Sequence, residues 1–159
     1  MEALATQILE TWGINHRTNM LLMDQLTDEC LGYTTSKRGG GTVGHQLAHM
    51  YNVRYWKLEA IDKSFIEGLK TVKATDPKTV DLLKGLHETT ANLVGAMLAG
   101  GIDNGGHLKK GWKRGVVPLL GSLINHEAHH RGNILLTLKL SGFKLTDPLK
   151  YGIWEWRKI

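Results

Sequence analysis

Two histidines four residues apart, His126 and His130, are the side chains of this sequence whose spacing points most clearly to chemistry. They lie in the long apolar segment 116–140, which is predicted to be a helix. At 3.6 residues per turn, such positions lie about 40° apart around the helix axis and about 6 Å apart along it. Both imidazoles can therefore reach one metal ion, whereas His129 lies about 100° from His130 and points to a flank. A third ligand must come from elsewhere in the chain.

A second helical segment offers that ligand, because His45 and His49 repeat the four-residue spacing. His49 shares a helix face with the apolar residues Val53 and Trp56, so this face looks inward and carries imidazoles. The spacing alone does not rank the two histidines. Position favours His49, which lies deeper among apolar neighbours, while His45 is close to the helix start and its glycine-rich approach. His49 is therefore the preferred third ligand, with His45 as the alternative.

Three imidazoles from two helices leave one coordination position open, which is typical of catalytic metal sites. A structural zinc site would instead use four ligands, usually with thiolates, and Cys30 is the only cysteine of the chain. An all-nitrogen set suits zinc or nickel, and the availability of the metal would decide between them. The expected cofactor is therefore a divalent ion, zinc or nickel. The alternative is that these histidines only make hydrogen bonds in the core, which the paired spacing on two segments disfavours.

The sequence His126-Glu127-x-x-His130 also matches the motif of zinc proteases, in which the glutamate is the general base. The extended form of that motif fails, because Gly132 is out of register and Leu136 stands where a third histidine belongs. No sheet pattern precedes the motif. A protease is therefore disfavoured, and Glu127 is retained as a residue that could support a ligand or transfer a proton.

Three asparagines are further candidates for the site. Asn133 lies on the helix face of His126 and His130, where its amide could support a ligand. Asn15 and Asn19 lie on an otherwise apolar face of the first predicted helix. Because buried amides need hydrogen-bond partners, these two either pair across the core or line a polar cavity that binds substrate.

Four helical segments are predicted to position these residues, and no convincing strand pattern lies between them. Their approximate ranges are 2–31, 42–61, 76–101 and 116–140. Irregular glycine-rich connections separate them, and the aromatic tail 143–159, with Trp154 and Trp156, is expected to pack back on the helices. The sequence therefore predicts an all-α protein, a single-domain four-helix bundle over residues 1–159.

Composition narrows the classes of function. With 159 residues, of which 42% are hydrophobic and 22% charged, the chain resembles one ordinary globular domain. The N-terminus shows no signal-peptide pattern, and no apolar run approaches the roughly 18 to 20 residues of a membrane span. One cysteine suits a reducing compartment, so the cytoplasm is the expected location. The net charge of +5 and the basic run 109–114 are interpreted as a solvated surface, so neither nucleic acid nor membrane is an expected partner.

Several sequence blocks, in this order, resemble the DinB/YfiT-like superfamily of metal-binding four-helix bundles. They are Trp12 with Asn15-His16-Arg17-Thr18, then Thr42-Val43-Gly44-His45-Gln46-Leu47-Ala48-His49, then Leu123-Ile124-Asn125-His126-Glu127-Ala128-His129-His130-Arg131-Gly132, and the ending Tyr151-Gly152-Ile153-Trp154-Glu155-Trp156. The resemblance covers nearly the whole chain. It implies up-down-down-up topology, a metal-binding triad of His49, His126 and His130, and frequent homodimers. One departure is Asn133, where the superfamily often has glutamine.

The resemblance also implies a class of reaction, because superfamily members of known activity mostly use low-molecular-weight thiols. The expected function is that of a metal-dependent thiol S-transferase acting in detoxification, with a small-molecule substrate and such a thiol as partners. A metal ion with an open position can lower the pKa of a thiol and present the nucleophilic thiolate. The alternatives are a metal-dependent hydrolase of a small substrate and a non-catalytic metal-binding stress-response protein.

Overall fold

The computed structural model describes residues 2–36 and 40–159. These residues form four long helices, α1 (Glu2–Met23), α2 (Val43–Ile61), α3 (Val80–Asp103) and α4 (Val116–Leu140), and a short helix α5 (Asp147–Gly152). Two 3-10 helices, Asp28–Gly32 and Lys63–Ile66, lie in the connections, and the described residues contain no strand. The predicted all-α class is confirmed, and the long helices pack as a bundle.

Threonines set the starts of three helices. The hydroxyls of Thr42, Thr79 and Thr146 each accept a hydrogen bond from a backbone N–H three residues later, in the first turns of α2, α3 and α5. This contact satisfies one of the N–H groups that a helix start leaves free. It confirms the predicted start of α2 and places the start of α3 later than the predicted residue 76.

The first helix is shorter than predicted, because α1 ends at Met23 and not at residue 31. The chain continues through a turn into the 3-10 helix Asp28–Gly32. There the Asp28 carboxylate accepts a hydrogen bond of 2.7 Å from the backbone N–H of Val80, at the start of α3. A contact with a residue so distant in sequence competes with continuation of the helix, and helical periodicity cannot reveal it.

Helices α1 and α2 each pack against both α3 and α4. Their apolar faces form two clusters, one around Leu22, Leu47 and Ile134 and the other around Trp12 and Leu119. Buried polar and charged side chains occupy intermediate positions along all four helices, namely Asn15, Thr18, Asn19, Arg54, His87, Thr90, Glu127 and Arg131. We call this set the polar layer, since it lies between the two apolar clusters.

The C-terminal segment packs on the bundle through α5, which contacts α1 and buries Leu149. The two tryptophans of the tail stay at the surface, with Trp154 78% exposed and Trp156 40% exposed. The tail therefore packs back on the helices as predicted, with Leu149 and not the tryptophans supplying the buried contact. No helix within residues 2–36 and 40–159 is long and apolar enough to cross a bilayer.

Candidate metal site

Three histidines from two helices converge at one point: His49 of α2 with His126 and His130 of α4. One ring nitrogen of each lies within 4.8 Å of those of the other two. Nε2 of His126 is 3.2 Å from Nε2 of His49, and the ring centroids of His126 and His130 are 4.7 Å apart. Nitrogen ligands around tetrahedral zinc, with bonds of about 2.0–2.1 Å, lie about 3.3 Å from each other. The His49 and His126 nitrogens already have that spacing, so the triad can hold a metal ion.

The environment of the triad keeps its imidazoles neutral. Burial, and then the charges of the neighbouring His126 and His49, lower the pKa of His130 to about 4. The pKa values of His49 and His126 are also lowered, first by burial and then by the charge of a nearby histidine, His45 for His49 and His49 for His126. A neutral imidazole has a free lone pair and is the form that binds metals. All three side chains are therefore in the ligand form at neutral pH.

A cavity of about 600 Å³ opens beside the triad. Its described lining consists of His49 and His130 together with Gly40, Gly41, Thr42, His45 and Ala74, and it includes no acidic side chain. His45 is exposed in the wall and lies outside the cluster of three. A small molecule can thus reach two of the three histidines from solvent.

Glu127 follows His126 in sequence but lies in the polar layer, where its side chain is 1% exposed. Arg54 donates to both of its oxygens, from Nε to Oε1 at 2.6 Å and from Nη2 to Oε2 at 2.9 Å. Burial alone would raise the pKa of Glu127, but the charge and hydrogen bonds of Arg54 outweigh burial and lower the pKa to about 2. The glutamate is therefore ionised and held inside the core.

Asn15 and Asn19 also belong to the polar layer, and their Nδ2 groups each donate a hydrogen bond of 2.6 Å to Oε2 of Glu127. Nη1 of Arg131 donates to Oδ1 of Asn15 at 2.8 Å and to Oδ1 of Asn19 at 2.7 Å. Of the two roles predicted for these amides, the structure shows pairing across the core, and neither lines the cavity at the triad. Sequence reasoning missed Arg54 and Arg131, because both helices carry other polar and charged side chains and the spacing of the residues did not single these two out.

Two amides flank the histidines of α4 on different sides. Nδ2 of Asn133 lies 3.0 Å from Nε2 of His129, which is exposed as its flanking position predicts. The other amide, Gln46 on α2, is buried, and its Oε1 lies 3.4 Å from Nδ1 of His130. Sequence reasoning missed Gln46, although it lies three residues before His49 and so on a neighbouring face of the same helix.

One family of known proteins matches the chain. The model of the DinB family matches residues 1–154, which is nearly the whole chain. No curated protein and no solved structure matches the chain significantly.

Proposed function

Because the chain belongs to the DinB family, we propose that His49, His126 and His130 bind a divalent metal ion, zinc or nickel. The observation that carries the proposal is the convergence of three ring nitrogens within 4.8 Å of one another. The donor set fits, since all three imidazoles have lowered pKa values and nitrogen ligands suit both metals. Three protein ligands leave a coordination position for a small molecule, as catalytic sites do.

The reaction we propose is the transfer of an electrophile to a low-molecular-weight thiol. A bound divalent ion would supply Lewis acidity, which lowers the pKa of a thiol and favours the thiolate. In the reaction the thiol gives its proton to solvent water, and its sulfur forms a bond to the electrophilic carbon. The bond from that carbon to the leaving group breaks, and the leaving group departs with the electron pair. The cavity beside His49 and His130 gives both reactants access, and its described lining carries no carboxylate to repel a thiolate.

Metal content tests the site directly. Elemental analysis of the purified wild-type protein should find about one zinc or nickel ion per chain. The variants His49→Ala, His126→Ala and His130→Ala should lose it. Matched controls are His45→Ala and His129→Ala, which remove exposed histidines from the same two helices and should retain the metal. Full metal content in the three triad variants would overturn the proposal. Loss of the metal in His45→Ala, His126→Ala and His130→Ala but not in His49→Ala would make His45 the third ligand.

Activity tests the reaction. The metal-loaded protein is incubated with a panel of small thiols and carbon electrophiles, and loss of the free thiol is followed. We expect thiol consumption that stops when a chelator removes the metal and in His126→Ala. Hydrolysis of small esters and amides without thiol consumption would favour a hydrolase. A stoichiometric metal with neither activity would favour a non-catalytic metal-binding protein.

We also propose that the chain forms a homodimer. The support is a groove of about 610 Å³ with a largely apolar lining at the N-terminal ends of α1 and α4. Two of its lining side chains are strongly exposed, Leu4 at 60% and Val117 at 57%. Burying such surface against a second copy is favourable. Light scattering should report twice the chain mass for the wild type and the monomer mass for Val117→Lys, and a monomeric wild type would contradict the proposal.

A further inference from the structure

The side chain of Gln46 is fully buried, yet its hydrogen-bonding groups are poorly used. Its Oε1 lies 3.4 Å from Nδ1 of His130, while its Nε2 has no hydrogen-bond partner among the described residues. A buried amide with an unpaired N–H costs free energy that an apolar residue would avoid. The position therefore gains little stability from glutamine. Among the described residues, the hydrogen bond that the Gln46 side chain makes is to a histidine of the triad.

That contact has a definite consequence for His130. A neutral imidazole carries one N–H and one lone pair, and the hydrogen bond made by one nitrogen decides which of the two carries the proton. Because an amide oxygen can only accept, a bond from Nδ1 to Oε1 of Gln46 requires the proton on Nδ1. The lone pair is then on Nε2, which becomes the nitrogen available to a metal ion.

We propose that Gln46 positions His130 for metal binding: Oε1 accepts the Nδ1–H of His130 and selects the tautomer whose Nε2 is the ligand. The inference rests on the proposed metal site and assigns within it a residue that the sequence pattern did not. Helix α2 thus supplies both a ligand, His49, and the group that orients a ligand on α4.

The polar side chains of α4 near His130 make their hydrogen bonds elsewhere, so Gln46 is the group that can accept the Nδ1–H of His130. Among the polar neighbours on α4, Asn133 lies against His129, and the oxygens of Glu127 accept hydrogen bonds from Arg54 and two asparagines. Gly40 also lies against the amide, since a Cβ added there would lie 3.4 Å from Cδ of Gln46. Gly40 has a φ of 84°, which side chains rarely allow. The amide of Gln46 therefore lies close to both Gly40 and His130.

The test measures the tautomer of His130 in metal-free protein by long-range proton–nitrogen NMR on the imidazole ring, with His130→Ala to identify the signals. We expect Nδ1–H in the wild type. Gln46→Met, which has a similar length and no amide, should give a mixture with Nε2–H and bind zinc about 10- to 100-fold more weakly. Gln46→Glu keeps an acceptor oxygen and should restore Nδ1–H and most of the affinity. Circular dichroism checks that each variant is folded.

Asn133→Ala is the matched control, because it removes an amide that lies against His129 and not against His130. It should change neither the tautomer of His130 nor the affinity for zinc. An Nε2–H tautomer in the wild type, or a tautomer and zinc affinity unaltered in Gln46→Met, would overturn the role of Gln46 even if the triad binds zinc. The opposite result is also informative. If the tautomer of His130 changes in Gln46→Met as expected but the wild type binds no metal, the contact is supported and the proposed metal site is overturned.

Discussion

The carboxylate of Glu127 and the guanidinium of Arg54 form a two-point ion pair inside the bundle, with side chains 1% and 0% exposed. Arg54 also stacks on Trp12, 4.8 Å from the ring centroid, and its Nη1 donates to the backbone carbonyl of His87 at 2.9 Å. The pair thus makes contacts on all four long helices. The glutamate next to a metal-ligand candidate therefore joins the helices through Arg54, Asn15 and Asn19.

Replacing Glu127 should mainly destabilise the fold. Glu127→Gln leaves Arg54 buried without its charged partner, and breaking a buried ion pair from one side costs about 3–5 kcal/mol. We expect urea denaturation to show a free energy of unfolding lower by about 3 kcal/mol. Glu88→Gln, at an exposed position of α3, is the control and should change it by less than about 0.5 kcal/mol.

The same variant separates the structural role from a role in metal binding. The hydrogen bonds of Glu127 go to Arg54, Asn15 and Asn19, so folded Glu127→Gln should keep the metal content of the wild type. A variant of normal stability that has lost its metal would contradict the assignment of Glu127 to the polar layer alone.

The predictions that succeeded depend on local geometry. The segments 42–61 and 116–140 are predicted from helical periodicity, and the structure has Val43–Ile61 and Val116–Leu140. The spacing of His126 and His130 follows from the pitch of a helix. That His49 meets this pair depends on how two helices pack. The sequence favoured His49 by predicting that its face of α2 looks inward, and this is wrong: His49 is half-buried, and Trp56 on the same face is 46% exposed.

The features that the sequence could not predict depend on contacts between residues far apart in the chain. The partner of Glu127 is Arg54, which is 73 residues away, and no helical periodicity relates the two. The tail packs on the bundle as predicted, but through Leu149 and not through its tryptophans. Large apolar side chains are often exposed, so Trp154 and Trp156 carried less information about burial than their size suggested.

The stability of the metal-free protein should fall with decreasing pH because of His87. Burial, and then the charge of Arg54, lower its pKa to about 3, whereas in an unfolded chain it is about 6.5. Below pH 6.5 the unfolded chain therefore binds a proton that the folded protein does not, so the free energy of unfolding decreases as the pH falls toward 3. One such histidine contributes a slope of up to about 1.4 kcal/mol per pH unit.

Urea denaturation at pH 7, 6 and 5 in the presence of a chelator measures how the free energy of unfolding changes with pH. These pH values lie above the range in which most carboxyl groups titrate. His87→Gln should reduce the slope of the free energy of unfolding against pH by up to about 1.4 kcal/mol per pH unit, the contribution of one histidine. His107→Gln removes an exposed histidine and should leave the slope unchanged. Equal slopes in the wild type and His87→Gln would show that His87 is protonated in the folded protein.

Two glycines with similar backbone angles should differ in how they tolerate alanine. Gly111 has a φ of 79° and Gly142 a φ of 83°, so each substitution carries a strain of about 1 kcal/mol. A Cβ at Gly111 would also lie 2.6 Å from the backbone oxygen of Ala60, at the end of α2, whereas a Cβ at Gly142 would meet nothing within 4 Å. We expect Gly111→Ala to lower the free energy of unfolding by about 1–3 kcal/mol more than Gly142→Ala. Equal losses would mean that the connection before α4 moves freely away from α2.

Trp56 should report metal binding through its fluorescence. Its ring lies edge-on to His49, with centroids 6.3 Å apart, and the side chain is 46% exposed. A paramagnetic ion such as nickel quenches an indole at short range, whereas zinc does so weakly. Nickel should therefore quench the wild type strongly and Trp56→Phe much less. Trp154→Phe, which removes a 78% exposed ring from the tail, should be quenched like the wild type. Undiminished quenching in Trp56→Phe would place the ion away from His49.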